Sequence, residues 1–393
     1  MTRVPSDDFD IAVVGGGPVG LTLALGLSES EARVCVLEAR DTTVSLDDPR
    51  TLALSYSSRL VLERIGVWHR LHATPITRIH VSQRGRFGRA ELNAHDERLP
   101  ALGYVVRYGA LLTALRQELA TRSISYLAGA EVQSLDPTSR YIALTYRHRD
   151  VEDVMTSRLA VVADGGGTLV NLHGVTPRRR DYGQRAVVAE VQLSRAPDGT
   201  AYERFTSGGP AALLPIEDRY ALVYTATPDE AQALLDLGEA DFLTRLQVHF
   251  GDYAGRFVEV GTRKAFPLSL SFVESVTAPR TVLIGNAAQI LHPVAGQGIN
   301  LGIRDAWSLA QQVQASGAEA LGTEAFLGAY QRSRLLDTTG GIVFTDALVR
   351  LFSNDLAGLR WVRGLGLTLF DIADPLKHFL VRRMTFGAPR GHV

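Results

Sequence analysis

The chain has 393 residues, of which 46% are hydrophobic and 21% are charged, and its formal net charge is −1. This composition indicates a globular protein of two or three domains, and the near-neutral charge gives no argument for nucleic-acid binding, which is not expected. Cys35 is the only cysteine, so a disulfide framework is excluded, and a core position in a reducing, cytoplasmic protein is expected. The sequence shows no signal peptide, no membrane-spanning run and no metal-ligand spacing.

The first motif is a strand, a glycine-rich turn, a helix and a second strand within residues 11–38. The turn has the pattern Gly15-x-Gly17-x-x-Gly20. In such turns the first glycine permits a tight bend, the second admits a pyrophosphate to the backbone, and the third lets the helix pack closely. The helix N-terminus favours phosphate, and Glu38 is placed to accept hydrogen bonds from an unphosphorylated ribose. The motif predicts a dinucleotide site, for which FAD and NAD both qualify.

A second set of residues follows other predicted strands. An apolar strand ends at Asp164-Gly165, which would place a carboxylate at the edge of a sheet where ligands bind. Arg50 closes a polar loop, and Arg107 lies where a strand passes into a helix. The arginine at 50 is placed to reach the phosphates or the flavin. The alternatives, a solvated loop charge and a plain Asp-Gly turn, remain open.

The third motif begins with the apolar strand RTVLIG, which is followed by Asn286. A loop with glycines at 296, 298 and 302 then runs into a helix predicted to start near Gly298–Asn300. Glycines here predict backbone packed against a flat ligand, with the positive end of the helix directed at it. Close packing of the helix on the sheet without a ligand is the alternative.

These motifs resemble the FAD-dependent aromatic hydroxylases, a family of flavoprotein monooxygenases. The resemblance rests on GGGPVG at 15–20, ADG at 163–165 and IGNAAQILHPVAGQGINLG at 284–302. Within that family, RIGVW at 64–68, ITRIHVSQRG at 76–85 and ERFTSGGP at 203–210 resemble the ubiquinone-biosynthesis branch and its 2-polyprenyl-6-methoxyphenol hydroxylases. Asn286 and Gln289 stand where the broad family has Asp and His, and both agree with this branch. Thr168 and Asn171 depart from the pattern after the ADG motif.

The resemblance implies an α/β fold with three parts. They are a Rossmann-like FAD-binding domain, an inserted, mostly antiparallel β-sheet substrate domain, and C-terminal helices. The expected limits are 1–75, 99–181 and 279–335 for the FAD-binding domain, 76–98 and 182–278 for the substrate domain, and 336–393 for the helices.

The resemblance also implies the cofactor FAD, NAD(P)H as its reductant, and O2 as the source of one oxygen atom for an activated phenol ring. Two residues, His292 and Pro293, become candidates for an active-site loop. The expected cofactor-binding residues are Gly15, Gly17, Gly20, Glu38, Arg50, Arg107, Asp164, Asn286, Gly296, Gly298 and Asn300.

The implied substrate is a polyprenylated phenol, for which AALLPI at 211–216 and AFPLSL at 265–270 are candidate apolar walls. Apolar and basic residues at 356–386 favour peripheral contact with a membrane or with a ubiquinone-biosynthesis protein complex, and plain helix packing is the alternative. Three other functions stay open: hydroxylation of another ring carbon in the pathway, flavin reduction without oxygen insertion, and a flavin-binding scaffold.

Overall fold

The computed structural model describes residues 8–41, 50–83, 89–167, 175–206, 209–292, 296–352 and 374–387. Within these ranges the helices are α1 (Pro18–Gly26), α2 (Tyr56–Arg64), α3 (Tyr108–Leu119), α4 (Pro228–Asp236), α5 (Glu239–Phe250), α6 (Gln297–Gln314), α7 (Glu324–Phe352) and α8 (Asp374–Phe386). The strands are β1 (Phe9–Val14), β2 (Val34–Glu38), β3 (Thr51–Ser55), β4 (Thr74–Ile76), β5 (Arg78–Gln83), β6 (Arg89–Asn93), β7 (Gly103–Arg107), β8 (Ser125–Ala128), β9 (Ala130–Pro137), β10 (Ile142–His148), β11 (Val151–Val162), β12 (Pro177–Leu193), β13 (Thr200–Thr206), β14 (Gly209–Ile216), β15 (Arg219–Ala226), β16 (Phe257–Val260), β17 (Lys264–Val273), β18 (Thr277–Ala278), β19 (Thr281–Leu283) and β20 (Gln289–Ile290).

The first sheet carries the dinucleotide motif. Its strand order is β18-β19-β11-β1-β2-β8, and β10 and β9 extend it from β11. The strands β19, β11, β1, β2 and β8 pair in parallel, so their carboxyl ends meet at one edge. The apolar runs of β1 and β2 are buried on both faces, which explains their continuous β-branched composition. Cys35 lies in β2 as a buried core residue, and burial raises the pKa of its thiol to about 12.

The second sheet has the order β20-β17-β12-β15-β14-β13-β5-β6. Its pairs are antiparallel except for the parallel pair of β13 with β5. One face packs under α4 and α5, where Phe242 and Leu246 are fully buried against Leu222 and Tyr224. The other face meets β4 and β7 of a three-stranded sheet with the order β3-β7-β4.

The predicted α/β fold with an inserted, mostly antiparallel sheet and C-terminal helices is confirmed. The elements cross three of the expected domain limits, the first of which, between residues 75 and 76, falls inside β4. β12 enters the second sheet at Pro177, before residue 182, and the limit at 336 falls inside the continuous helix α7. In the part of the chain that the structure describes, no helix combines the length and hydropathy needed to cross a membrane.

Candidate functional site: a dinucleotide cavity

The glycine turn after β1 is built by close backbone contacts. Gly15 has a φ of +111°, and a Cβ added there would lie 2.7 Å from the carbonyl of Ala163. A Cβ on Gly20 would lie 2.0 Å from the carbonyl oxygen of Gly15. Both positions therefore exclude any side chain, the first by backbone conformation and contact and the second by contact alone. The turn joins the end of β1 to the end of β11, so the first two predicted motifs lie side by side.

Glu38 ends β2 and is a buried residue, 6% exposed. Its Oε2 accepts a hydrogen bond from the backbone N–H of Gly16 over 2.7 Å, and its Oε1 accepts one from the N–H of Arg40 over 3.0 Å. A carboxylate offers about four acceptor positions, so capacity remains for a ribose diol. A Cβ on Gly16 would lie 2.9 Å from the Cβ of Glu38, so this middle glycine is required too, a point the spacing pattern does not reveal.

A cavity of about 780 Å³ runs from this turn along the edge of the first sheet. Gly15, Gly17, Glu38, Arg50, Asp164, Asn286 and Gly298 of the expected cofactor-binding residues line it. A Cβ added at Gly17, Gly165 or Gly298 would meet no atom within 4 Å, so the cavity wall there is bare backbone with open space beside it. Backbone donors at a helix N-terminus, a ribose acceptor and this open cradle fit FAD.

The cavity also reaches three polar residues that sequence reasoning missed. Glu131 and Gln133 on β9 and Arg147 on β10 line it, and Arg147 Nη2 donates to Glu131 Oε2 over 2.9 Å. They come from strands that read as ordinary sheet, so their sequence gave no signal for a ligand.

The two predicted arginines have different surroundings. The Arg50 guanidinium lies 4.5 Å from the ring centroid of Tyr108 and 5.9 Å from that of Phe266, so it stands between the cavity and the second sheet. Arg107 does not line the cavity; it donates to Glu190 on β12 and to Glu217 over 3.5 Å. Hydrogen bonding to Glu190 raises the pKa of Arg107, which remains a cation. The contact of Arg107 with a cofactor stays a prediction.

The loop after β19 presents Asn286, which is exposed to the cavity. Asp305 on α6 holds this loop from behind: its Oδ2 accepts from the N–H of Gly285 over 3.1 Å and from Gln289 Nε2 over 2.7 Å. Asp305 is itself buried, and Arg334 on α7 donates to its Oδ1 over 2.8 Å. Burial raises the pKa of Asp305, whereas Arg334 opposes that rise. The glutamine at 289 therefore has a structural partner of its own.

The helix α6 begins at Gln297, one residue before the predicted start near Gly298–Asn300, and Gly296 before it adopts a left-handed φ of +59°. Asn300 joins this helix to β3 and α2. Its Oδ1 accepts from Ser55 N and Ser58 Oγ, both over 2.7 Å, and its Nδ2 donates to Ala53 O and Gly296 O, both over 2.8 Å. All four hydrogen-bonding positions of the amide are used, so its role here is to position the helix N-terminus beside the cavity.

For Gly302 the structure supports the alternative that the sequence left open, close packing without a ligand. A Cβ there would lie 2.7 Å from Val19 on α1, so this glycine serves close packing of two helices. Thus Gly298 opens on the cavity while Gly302, one turn later, faces the protein.

His292 is 0% exposed, and its ring meets Tyr182 edge-on at 5.4 Å. Burial lowers the pKa of His292 to about 4, so its imidazole is neutral near pH 7. Pro293, Thr168 and Asn171 lie outside the described residues.

Fold and cavity together define a flavin-dinucleotide-binding oxidoreductase. The model of the family described as FAD binding domain matches residues 8–339, and the chain belongs to this family. It is an FAD-dependent monooxygenase, and its resemblance to the ubiquinone branch of the aromatic hydroxylases is confirmed. FAD supplies the redox chemistry, taking reducing equivalents from NAD(P)H and using O2.

Relatives match along nearly the whole chain. The ubiquinone hydroxylase UbiL of Rhodospirillum rubrum is 35% identical, covering 95% of this chain and 88% of the relative. The 3-demethoxyubiquinol 3-hydroxylase of Escherichia coli is 32% identical, covering 96% and 97%. Among solved structures, the p-nitrophenol 4-monooxygenase PnpA of Pseudomonas putida has a TM-score of 0.75 at 18% identity, covering 96% and 98%. That likeness shows the fold.

Proposed function

We propose that this monooxygenase hydroxylates the aromatic ring of a polyprenylated phenol in ubiquinone biosynthesis, with 2-polyprenyl-6-methoxyphenol as its substrate. The observation that carries the proposal is the full-length similarity to proteins named ubiquinone hydroxylases, at 35% identity for UbiL. The resemblance of residues 64–68, 76–85 and 203–210 to the methoxyphenol hydroxylases supports the choice of substrate.

The second sheet offers an apolar surface that suits such a substrate. On β14 the side chains of Ala212 and Leu214 are half-buried, while the alternating Ala211 and Leu213 are buried under α4 and α5. On β17, Phe266 is half-buried beside Arg50 at the cavity. A long apolar chain with one polar head needs a groove of this character near the flavin.

A second candidate substrate is a 3-demethoxyubiquinol, because the Escherichia coli relative of 32% identity carries that activity in its name. The two substrates differ in the ring carbon that receives oxygen. Quinone intermediates in a strain lacking this protein distinguish them. Accumulation of 2-polyprenyl-6-methoxyphenol supports the first and accumulation of a demethoxylated quinone supports the second. An unchanged quinone profile contradicts both.

The purified enzyme provides the chemical test. We expect NAD(P)H oxidation and O2 uptake that depend on the phenol, with about one hydroxylated product formed for each NAD(P)H oxidised. Peroxide in place of product would indicate a flavin reductase that does not insert oxygen. A protein that never oxidises NAD(P)H with any phenol would indicate a scaffold.

We further propose a peripheral, salt-sensitive association of the C-terminal helices with an anionic bilayer. Of the predicted segment 356–386, residues 356–373 lie outside the described residues. In the part that the structure describes, α7 and α8 expose four large apolar side chains: Leu335 at 60%, Leu336 at 73%, Phe379 at 66% and Phe386 at 39%. Lys377 and Arg382 also lie on α8. Sedimentation with anionic vesicles should fall in Phe379→Glu and in high salt. Equal binding by neutral vesicles, or capture by pathway proteins instead, would contradict this proposal.

A further inference from the structure

One transverse row of the second sheet combines four apolar side chains with a carboxyl group. The strand pairings align five residues on the same face of β5, β13, β14, β15 and β12: Val81, Glu203, Ala212, Val223 and Val188. All five side chains are half-buried, although they occupy central strands of the sheet. Each of these side chains keeps part of its surface accessible, so this row is not tightly covered, and the accessible space beside it is called the chamber below.

The neighbouring rows place this chamber between the sheet and the FAD-binding domain. Two residues along the strands in one direction, Ala201 and Ala221 are buried against Val105 of β7. In the other direction, Val188 pairs with Lys264 of β17. Phe266, two residues further along β17, lies beside Arg50 at the dinucleotide cavity. The row therefore lies between the packed contact with β7 on one side and the dinucleotide cavity on the other.

Glu203 is the polar member of this row. Its carboxyl makes no hydrogen bond or ion pair with the residues that the structure describes, and its strand neighbours on this face are Val81 and Ala212. Burial alone raises the pKa of Glu203 to about 8. The charged residues on the same face in the sheet register are Glu190, which Arg107 neutralises, Arg219, which pairs with Glu259, and Lys264, which lies opposite Val188. Glu203 is therefore half-buried, has no partner among the residues that the structure describes, and lies on the face toward the chamber.

We propose that this row is the floor of the aromatic-ring site and that Glu203 binds the phenolic hydroxyl of the substrate and takes its proton. The inference rests on the proposed function. An apolar pocket that holds a phenol needs one polar group to fix the orientation of the ring. A half-buried carboxyl without a charged partner can both hydrogen-bond the phenolic hydroxyl and accept its proton.

The proton transfer balances without another reactant. The phenol O–H bond breaks as the O–H bond of the Glu203 carboxyl forms, and the electron pair stays on the phenol oxygen and enriches the ring. When the hydroxylated ring regains aromaticity, its C–H proton passes to solvent, and the carboxyl returns the proton that it holds to the first oxygen. NAD(P)H and O2 of the monooxygenase reaction supply the electrons and the oxygen atom.

Glu203→Gln keeps the size of the side chain but cannot accept the proton. We expect normal FAD content, a kcat for hydroxylation about a hundredfold lower, and NAD(P)H oxidation that yields peroxide instead of product. In the native enzyme kcat/KM should rise with pH through about 8, because the ionised carboxylate is the active form. The variant should lack this rise.

The matched control is Glu91→Gln, because Glu91 is an exposed carboxylate on the opposite face of the same sheet. A further readout separates a base from a structural group: a phenol that is already ionised at the assay pH should restore much of the hydroxylation by Glu203→Gln. If that variant fails to hold FAD, Glu203→Asp retains a carboxyl and should keep the pH dependence at a lower rate.

The outcomes separate the two proposals. Native enzyme that hydroxylates the phenol while Glu203→Gln matches Glu91→Gln in kcat, coupling and pH profile would overturn the role of Glu203 alone. Failure of an ionised phenol to restore hydroxylation by Glu203→Gln would also contradict the role of Glu203 as a base. Native enzyme that neither binds nor hydroxylates any phenol would overturn the proposed function and this inference together.

Discussion

Glu38 and Gly16 are joined by a hydrogen bond in which the backbone N–H of the glycine donates to Glu38 Oε2 over 2.7 Å. The bond ties the end of β2 to the turn after β1, so one carboxylate both fixes the phosphate-binding turn and faces the position expected for a ribose. The same residue therefore couples the shape of the turn to recognition of the nucleotide.

Replacing Glu38 should weaken FAD binding. Glu38→Lys removes the acceptor for Gly16 and for the ribose and places a cation beside Arg40. The lost charge-assisted hydrogen bonds correspond to about 2 kcal/mol, or roughly thirtyfold in the Kd for FAD, measured by flavin fluorescence. Glu31→Lys makes the same charge change at an exposed site and should bind FAD normally. Full flavin retention by Glu38→Lys would contradict the placement of this residue.

Substitution by valine should have different effects at two glycines, impairing FAD binding at one and folding at the other. Gly298→Val adds atoms in open space at the cavity, so the protein should fold normally and lose FAD affinity at least tenfold, or about 1.4 kcal/mol. Gly20→Val would force a Cβ to 2.0 Å from Gly15 O, so that variant should fail to fold. Circular dichroism and FAD titration check both. Normal flavin content and turnover in Gly298→Val would contradict the assignment of Gly298 to the cofactor cavity.

The sequence predicts the parts of this site that are local in the chain. The strand, turn, helix and acid of residues 11–38 follow from periodicity and glycine spacing because their physical causes lie within one supersecondary unit. The bonds of Asn300 to Ser55 and Ser58 span 245 and 242 positions, and the pairing of Arg107 with Glu190 spans 83. Such partners become visible only after the sheets have brought distant segments together, and single-sequence patterns contain no signal for them.

Asn300 should stabilise the junction between α6, β3 and α2. Asn300→Ala removes four hydrogen bonds and leaves the buried N–H of Ser55 without its acceptor, which should lower the free energy of unfolding by about 3 kcal/mol. FAD affinity should fall with it, because the helix N-terminus loses its anchor. Urea unfolding followed by fluorescence measures the first effect. Asn93→Ala, at a local turn bond to His95, is the control and should change stability by less than about 1 kcal/mol. Equal stability of the two variants would contradict the role of Asn300.

His292 should make the folded protein sensitive to acid. Its folded pKa of about 4 lies below the ordinary value of 6.5 because burial disfavours the imidazolium. Between these values the unfolded chain binds more protons than the folded one, so stability rises with pH in this window and is lost as pH falls from 6.5 toward 4. The loss amounts to at most about 3 kcal/mol. Comparing native protein with His292→Gln by urea unfolding at each pH isolates this contribution, because carboxylates affect both alike. The variant should show a shallower decline, while His69→Gln, at an exposed site, should follow the native curve. Parallel curves for His292→Gln and native protein would show that His292 is not the buried neutral group described.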